Sequence, residues 1–360
     1  MNRITLMALS GLFVLASLQY GCNRKVAESP SPETLVIFPP PPDTTRIQFL
    51  TYISSSEDLK GKRGAFHRYL LGEEEPLNMI KPYGITVDSN LLYICDTGLG
   101  GLEIVDLNKG TLEYFIPGGL GQLKLPINCF VDERGYLFIA DASRRQIVVF
   151  DQNRNYLHAF GEAEGFKPTD VLVHNERIWV CNVQSHSILV YDGNSYELMG
   201  KVSLAGADEE GYIRQPTNIS MRDERLYVSD FGDFNIKQFS MDGAYLGTIG
   251  GYGNGPGQFT RPKGIALDRD LLLYVVDAAF ENVQIFNRDG NLLMHFGGSY
   301  HGAGAMGLPA AVEISYENLS YFLPYVDPSF ELKYLIYVTN QYGPAKVNVY
   351  GFVKQKKNSP

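Results

Sequence analysis

Short runs of alternating apolar and polar residues fill the chain after residue 80, and six stretches of this pattern are near copies of one another. Each copy opens on a proline (Pro82, Pro126, Pro168, Pro216, Pro262, Pro309) and continues as an apolar strand. After one turn comes a second strand, which ends in Asp96, Asp141, Asn182, Asp230, Asp277 or Asn340. The prolines stand 44, 42, 48, 46 and 47 residues apart, which is room for four short strands with their turns and is the size of a propeller blade. A third strand follows (residues 146–150 and 284–286 are clear copies), and turns such as Asp242-Gly243 and Asp289-Gly290 lead into a fourth. No segment after residue 80 sustains a 3.6-residue period. The pattern predicts an all-β, six-bladed β-propeller of four-stranded antiparallel blades.

The sixth copy has no fourth strand, because after residues 346–350 the chain passes into the polar tail 354–360. Residues 46–53, ahead of the first copy, alternate correctly and can supply it. Pairing the two ends removes both exposed sheet edges, which would otherwise template aggregation. The N-terminal strand is therefore expected to complete the last blade. The chain divides into a signal peptide (1–21), a Pro-rich tether (22–44), the propeller (45–353) and the tail (354–360).

Pro262-Lys263-Gly264-Ile265-Ala266-Leu267-Asp268, with Val283-Gln284-Ile285-Phe286 behind it, resembles the NHL repeat, whose pattern reads P-x-G-I-A-V-D, L-Y-V-A-D, I-Q-V-F and a D-G turn. The likeness extends over residues 45–353. With the leader, the Pro-rich stretch and Pro42-Asp43 before Arg46, the chain is similar more narrowly to bacterial six-bladed NHL lipoproteins, a resemblance that implies no settled activity. His174 and Arg222 depart from it where the pattern has Asp, and the sixth repeat carries an insertion from Tyr316 to Lys333. Some NHL-like propellers are zinc lyases with histidines just after the proline. Those positions here are Tyr83, Ile127, Thr169, Thr217, Lys263 and Ala310, so the resemblance carries over no zinc ligands. Fold by itself does not fix chemistry.

The first residues give an address. Arg3 precedes an apolar run over residues 4–18, too short to span a bilayer and suited to a signal-peptide core. Gly21-Cys22 then reads as a lipoprotein cleavage site with Cys22 acylated; the competing reading is ordinary secretion with Cys22 unmodified. The expected location is outside the cytoplasm, lipid-anchored to the cell membrane or outer membrane, with residues 23–43 as an extended spacer.

Net charge is −9, with 20% charged and 44% hydrophobic residues, which argues against a nucleic-acid partner. A closed ring leaves no strand edge in need of a partner, so a monomer is expected. Cys95, Cys129 and Cys181 fall in strand positions filled by small core residues in the other repeats. One disulfide among them would leave a thiol over.

Two places can carry function. Two residues after each proline, near the mouth of the central channel, stand Gly84, Asn128, Asp170, Asn218, Gly264 and Ala311. Asn128, Asp170 and Asn218 offer oxygens suited to a hard cation such as Ca²⁺, with Lys263 beside them; alternatively, such residues at strand starts accept backbone N–H bonds. The loops between second and third strands present Phe231, Phe234, Phe280 and Tyr342 on blades 4 to 6, and Arg144, Arg145 and His186 on blades 2 and 3. Aromatics and Arg are enriched in protein-binding hot spots. They point to a protein partner, unless the same rings fold inward between blades. No nucleophile signature appears. A non-catalytic binding or scaffold propeller is expected, the alternative being a metal-dependent hydrolase or lyase at the channel.

Overall fold

A computed structural model describes residues 35–59, 75–161, 164–202 and 205–356. The repeat folds as six antiparallel sheets around a channel. The inner strands are Pro82–Asp88, Pro126–Val131, Pro168–His174, Pro216–Arg222, Pro262–Leu267 and Pro309–Ser315. Proline is tolerated at their first position because an edge strand facing the channel needs no ladder N–H there.

Both chain ends meet in blade 6. Ile47–Ile53 pairs antiparallel with Val347–Gln355, from Ile47 opposite Phe352 to Ile53 opposite Val347. The N-terminal strand is thus the outer strand of the last blade. It is followed outward by one more short strand, Ile37–Phe38, which pairs with Gln48 and Ile47. The last residues of the stretch read as tether are therefore attached to the sheet, with Phe38 packed against the seam between blades 5 and 6.

Six apolar clusters fill the six seams between neighbouring blades. This follows from strand alternation, because successive side chains of one blade point to opposite neighbours. In the second strand of blade 1, Leu92 and Ile94 enter the seam with blade 6, while Tyr93 and Cys95 enter the seam with blade 2. Cys95, Cys129 and Cys181 are buried and free.

The acid or amide that ends each second strand ties the loops together. Asp96 accepts backbone N–H bonds from Ile80 and Lys81 ahead of its inner strand, and from Gly98 and Leu99 in its own turn. Asp277 does the same with Thr260, Arg261 and Ala279. Four of these carboxylates, Asp96, Asp141, Asp230 and Asp277, are fully buried, which is tolerable only because several donors converge on each. In blade 4, Lys237 adds a buried ion pair to Asp230 at 2.6 Å.

The insertion in blade 6 lies between its first and second strands and forms a short helix, Leu319–Phe322, and a single 3₁₀ turn, Leu323–Tyr325. Phe322 is buried in the seam with blade 1. Gln48 of the N-terminal strand donates to the Tyr325 carbonyl and accepts from the Asp327 N–H. The insertion fastens the closure of the ring. The segment read as a signal peptide, with Cys22, and a stretch rich in basic and aromatic residues over 60–71 ahead of the first repeat, lie outside the described residues. No helix among the described residues is long and apolar enough to cross a membrane.

Candidate functional site

Two residues into the inner strands, the channel is pinched into a ring. Asp170 is its hub: Oδ1 accepts from Asn128 Nδ2 (2.7 Å) and the Val171 N–H (2.8 Å), and Oδ2 accepts from the Ile219 N–H (2.8 Å). Asn218 adds a side-chain hydrogen bond. One carboxylate thereby joins blades 2, 3 and 4. Burial pushes its carboxyl up to about 7, against these donors, which favour the anion. The other half of the ring is closed by backbone. A Cβ on Gly84 would fall 2.1 Å from Asn128 Oδ1, and one on Gly264 would fall 2.5 Å from Ala311 Cα. Glycine is required at both positions because the strands approach more closely than any side chain permits.

The trio Asn128, Asp170 and Asn218 is brought together as expected, in the arrangement where side chains satisfy backbone N–H groups at strand starts. Asn128 Oδ1 accepts from the Cys129 N–H (3.1 Å). A Ca²⁺ needs six to eight oxygens, and the Asp170 oxygens face N–H donors. The residues present do not fit that ion. Among the described residues no three His, Cys, Asp or Glu side chains converge as a metal cluster.

The ring separates two unlike chambers. Toward the face bearing the 2–3 turns, Lys263 reaches across from blade 5 to blade 1. Its Nζ donates to the Tyr83 hydroxyl at 2.9 Å and lies 4.5 Å from the centre of that ring. Lys263 is buried, and burial, with Arg261 and Lys81 nearby, lowers its pKa to about 8. Tyr83 and Lys263 plug this mouth. On the other side the channel opens into a cavity of about 310 Å³ running from the ring to His174 and Arg222. Glu313 faces it from blade 6; burial and the proximity of Asp170 push its carboxyl up to about 8. Glu313 stands outside the residues that the repeat pattern marks. Its signal is positional: it lies two residues beyond a ring position, where alternation returns a side chain to the channel.

The loop residues fall into two groups. Arg145, His186, Phe234 and Glu281 occupy the same place in successive 2–3 turns, all with positive φ, a backbone state that is uncommon for side chains of this size. Each reaches the segment leading into the next blade. Arg145 Nε donates to the Phe166 carbonyl (3.4 Å), and the His186 ring bonds the Arg214 carbonyl. Phe234 packs at a tilt against Tyr252 (4.9 Å between ring centres), and Glu281 accepts from the Leu308 N–H (3.0 Å). These are clasps between blades. Arg144 instead donates to the Gln122 carbonyl (2.7 Å), in the segment leading into its own blade. Phe231 and Phe280 are half-buried, with Phe231 against Phe234 at 6.2 Å.

Tyr342 remains open at 55% exposure, and Lys81 lies 5.3 Å from the centre of its ring. Around it the same face shows large apolar side chains absent from the sequence-based set: Ile80, Ile116, Leu120 and Tyr252 are 50–75% exposed. Ile80 and Ile116 flank one glycine-rich turn, since a Cβ on Gly98 would meet Ile80 and one on Gly101 would come within 3.1 Å of Ile116. Between these patches runs a circle of cations. Lys81, Lys124, Lys167, Arg214 and Arg261 stand one or two residues ahead of the inner-strand prolines in five blades. All but Lys81 are exposed.

A protein family described as a 6-bladed beta-propeller matches residues 206–295. No curated protein matches the chain. Among solved structures, it is similar to a gluconolactonase from Xanthomonas campestris (15% identity, TM-score 0.56, covering 88% of this chain and 91% of that one). It is also similar to a virginiamycin B lyase from Staphylococcus aureus (13%, 0.51, covering 76% and 81%). A structural-genomics protein of unknown function from Bacteroides thetaiotaomicron aligns at 13% identity and TM-score 0.57, covering 77% of this chain and 70% of that one. At such identities the likeness speaks to fold alone, and with the six closed sheets it makes this chain a six-bladed β-propeller.

Proposed function

We propose that the protein is a non-catalytic binding propeller of the cell envelope, anchored through Cys22 and held off the membrane by its Pro-rich stretch, which captures an acidic protein partner on the face of the 2–3 turns. The observation that carries this reading is the circle of Lys81, Lys124, Lys167 and Arg261, completed by Arg214 in an ion pair with Asp233, around a plugged mouth, in a chain whose net charge is −9. Concentrating cations on one face of an acidic protein steers an oppositely charged surface to it. The exposed Ile80, Ile116, Leu120 and Tyr342 on one side and Tyr252 on the other supply apolar contacts. The resemblance to NHL lipoproteins agrees with the envelope location.

The alternative is a metal-dependent hydrolase or lyase at the channel. It draws on the lyase and the gluconolactonase among similar folds, but its candidate ligands Asn128, Asp170 and Asn218 are engaged with one another and with backbone N–H groups. The deciding experiment is crosslinked capture from native envelope by the wild type and by a Lys81→Glu/Arg261→Glu variant, at low and high salt. The wild type should retain a protein with an acidic surface, and capture should fall about ten-fold in the variant and in salt. Equal capture by both proteins at both salt concentrations overturns the reading. Stoichiometric bound metal with turnover lost in Asp170→Ala would move it to an enzyme.

A further inference from the structure

The cavity beyond the ring lies on the face opposite the proposed partner surface and has a different chemistry. Its volume of about 310 Å³ is at the lower end of the range for small-molecule sites, roughly 300–1,000 Å³. The wall is two-sided. Blades 2 and 3 contribute Phe130 and Leu172, whereas blades 4, 6 and 1 contribute Ser220, Glu313 and Thr86. Glu313 accepts a hydrogen bond from the Val87 N–H on the channel edge of blade 1. Among the described residues no ion pair includes Glu313 or Asp170. The remaining charged or titratable groups on the lining are Asp170 at the floor, and His174 and Arg222 at the outer end.

A carboxyl buried without a cation partner is held in its neutral form, and a cation that joins it favours the anion. The apolar wall opposite narrows the choice. A bare divalent ion would find few oxygens and leave Phe130 and Leu172 unused, whereas an organic cation uses both sides, its charge at the carboxyl and its hydrocarbon part against the apolar wall. We propose that this cavity binds a small primary ammonium compound, its nitrogen pairing with Glu313 and its hydrocarbon part lying against Phe130 and Leu172.

Calorimetric titration of the purified protein with methyl- through hexylammonium chloride, and with butan-1-ol as the neutral counterpart of butylammonium, tests this. Butylammonium should bind at least about ten-fold more tightly than the alcohol, with affinity rising along the series until the cavity is full. Binding should strengthen between pH 6 and pH 8 with release of a proton, because burial holds the free Glu313 carboxyl near 8 and a bound cation favours its ionised form. Glu313→Gln, which keeps the volume, should weaken binding about ten-fold or more, and Ser220→Leu, which fills the cavity away from Glu313, should abolish it. A single cooperative thermal transition in each would show that both variants fold. No measurable binding across the series, alcohol binding as tight as ammonium binding, or undiminished affinity in either variant overturns the proposal. Should Glu313→Gln not fold, Ser220→Leu decides alone.

Discussion

The two ends of the channel are built from the same six strands and differ in chemistry. At the end beside the 2–3 turns, Lys263 crosses to Tyr83 and closes the passage beneath a circle of five cations. At the other end, Glu313 and Asp170 face an open cavity with no cation paired to either among the described residues. Between them stands a ring only one residue thick. A propeller can therefore present two chemically independent surfaces on one axis, because successive inner-strand positions face different chambers while the blades behind them keep a common core. What separates the surfaces is the hydrogen-bonded hub at Asp170 and the close backbone approach at Gly84 and Gly264.

Breaking the hub should have the largest effect. Asp170→Ala leaves the Ile219 and Val171 N–H groups and the Asn128 amide without their acceptor in a buried ring. At about 1–3 kcal/mol for each orphaned group, the loss should total about 4 kcal/mol in urea unfolding, with Asp170→Asn recovering part of it. A loss below about 1 kcal/mol would mean that the ring is held by the glycine approaches instead.

Those approaches come next. Gly264→Ala drives a Cβ into the backbone of Ala311, and Gly84→Ala into Asn128. Each should lower stability by about 2 kcal/mol, as overpacking does, because each Cβ also meets backbone that cannot rotate away, 2.5 Å from Ala311 Cα for Gly264 and 2.6 Å from Asn128 Cα for Gly84. Thermal melts of the two variants, compared with an alanine at exposed Gly118, where nothing lies within 4 Å, would read the difference.

The smallest effect sharpens the contrast most directly. Glu313 has a folded-state pKa raised from 4.5 to about 8. Between those values the unfolded chain gives up its proton first, so this group's contribution to stability falls as pH rises from about 4.5 to about 8. Lys263 is depressed from 10.5 to about 8. The unfolded chain holds its proton longer there, so stability rises between about 8 and 10.5. Melting temperature against pH should lose the first slope in Glu313→Gln and the second in Lys263→Met. Coincident profiles for both variants and the wild type would show that the two ends do not differ in this way.

Much of the architecture was legible from the repeat because its cause is local. The proline marks an edge strand, and the alternation sends side chains to the two adjoining seams. The terminal Asp or Asn is repeated because one group must accept several N–H donors where two loops meet. The pairing of residues 46–53 with the last blade followed from the need to remove two sheet edges. The channel trio was legible too, with its hydrogen-bonded reading as one of the two left open. Glu313 was not, because a single acid among Thr86, Phe130, Leu172, Ser220 and Ala266 at equivalent positions breaks no pattern until the strands surround a cavity. Arg145, His186 and Phe234 read as free loop side chains because sequence does not show that a residue of positive φ in one turn reaches the segment leading into the next blade.

Periodicity, and backbone groups that must find partners, account for the number of blades, the manner of closure and the residues that ring the axis. Which side of the ring is closed, which loop side chains are clasps and which are exposed, and where a lone carboxylate meets an apolar wall follow from the packed blades instead. Those depend on contacts between segments distant in sequence, such as Arg145 with Phe166 at 21 residues and Lys263 with Tyr83 at 180, which no local pattern encodes.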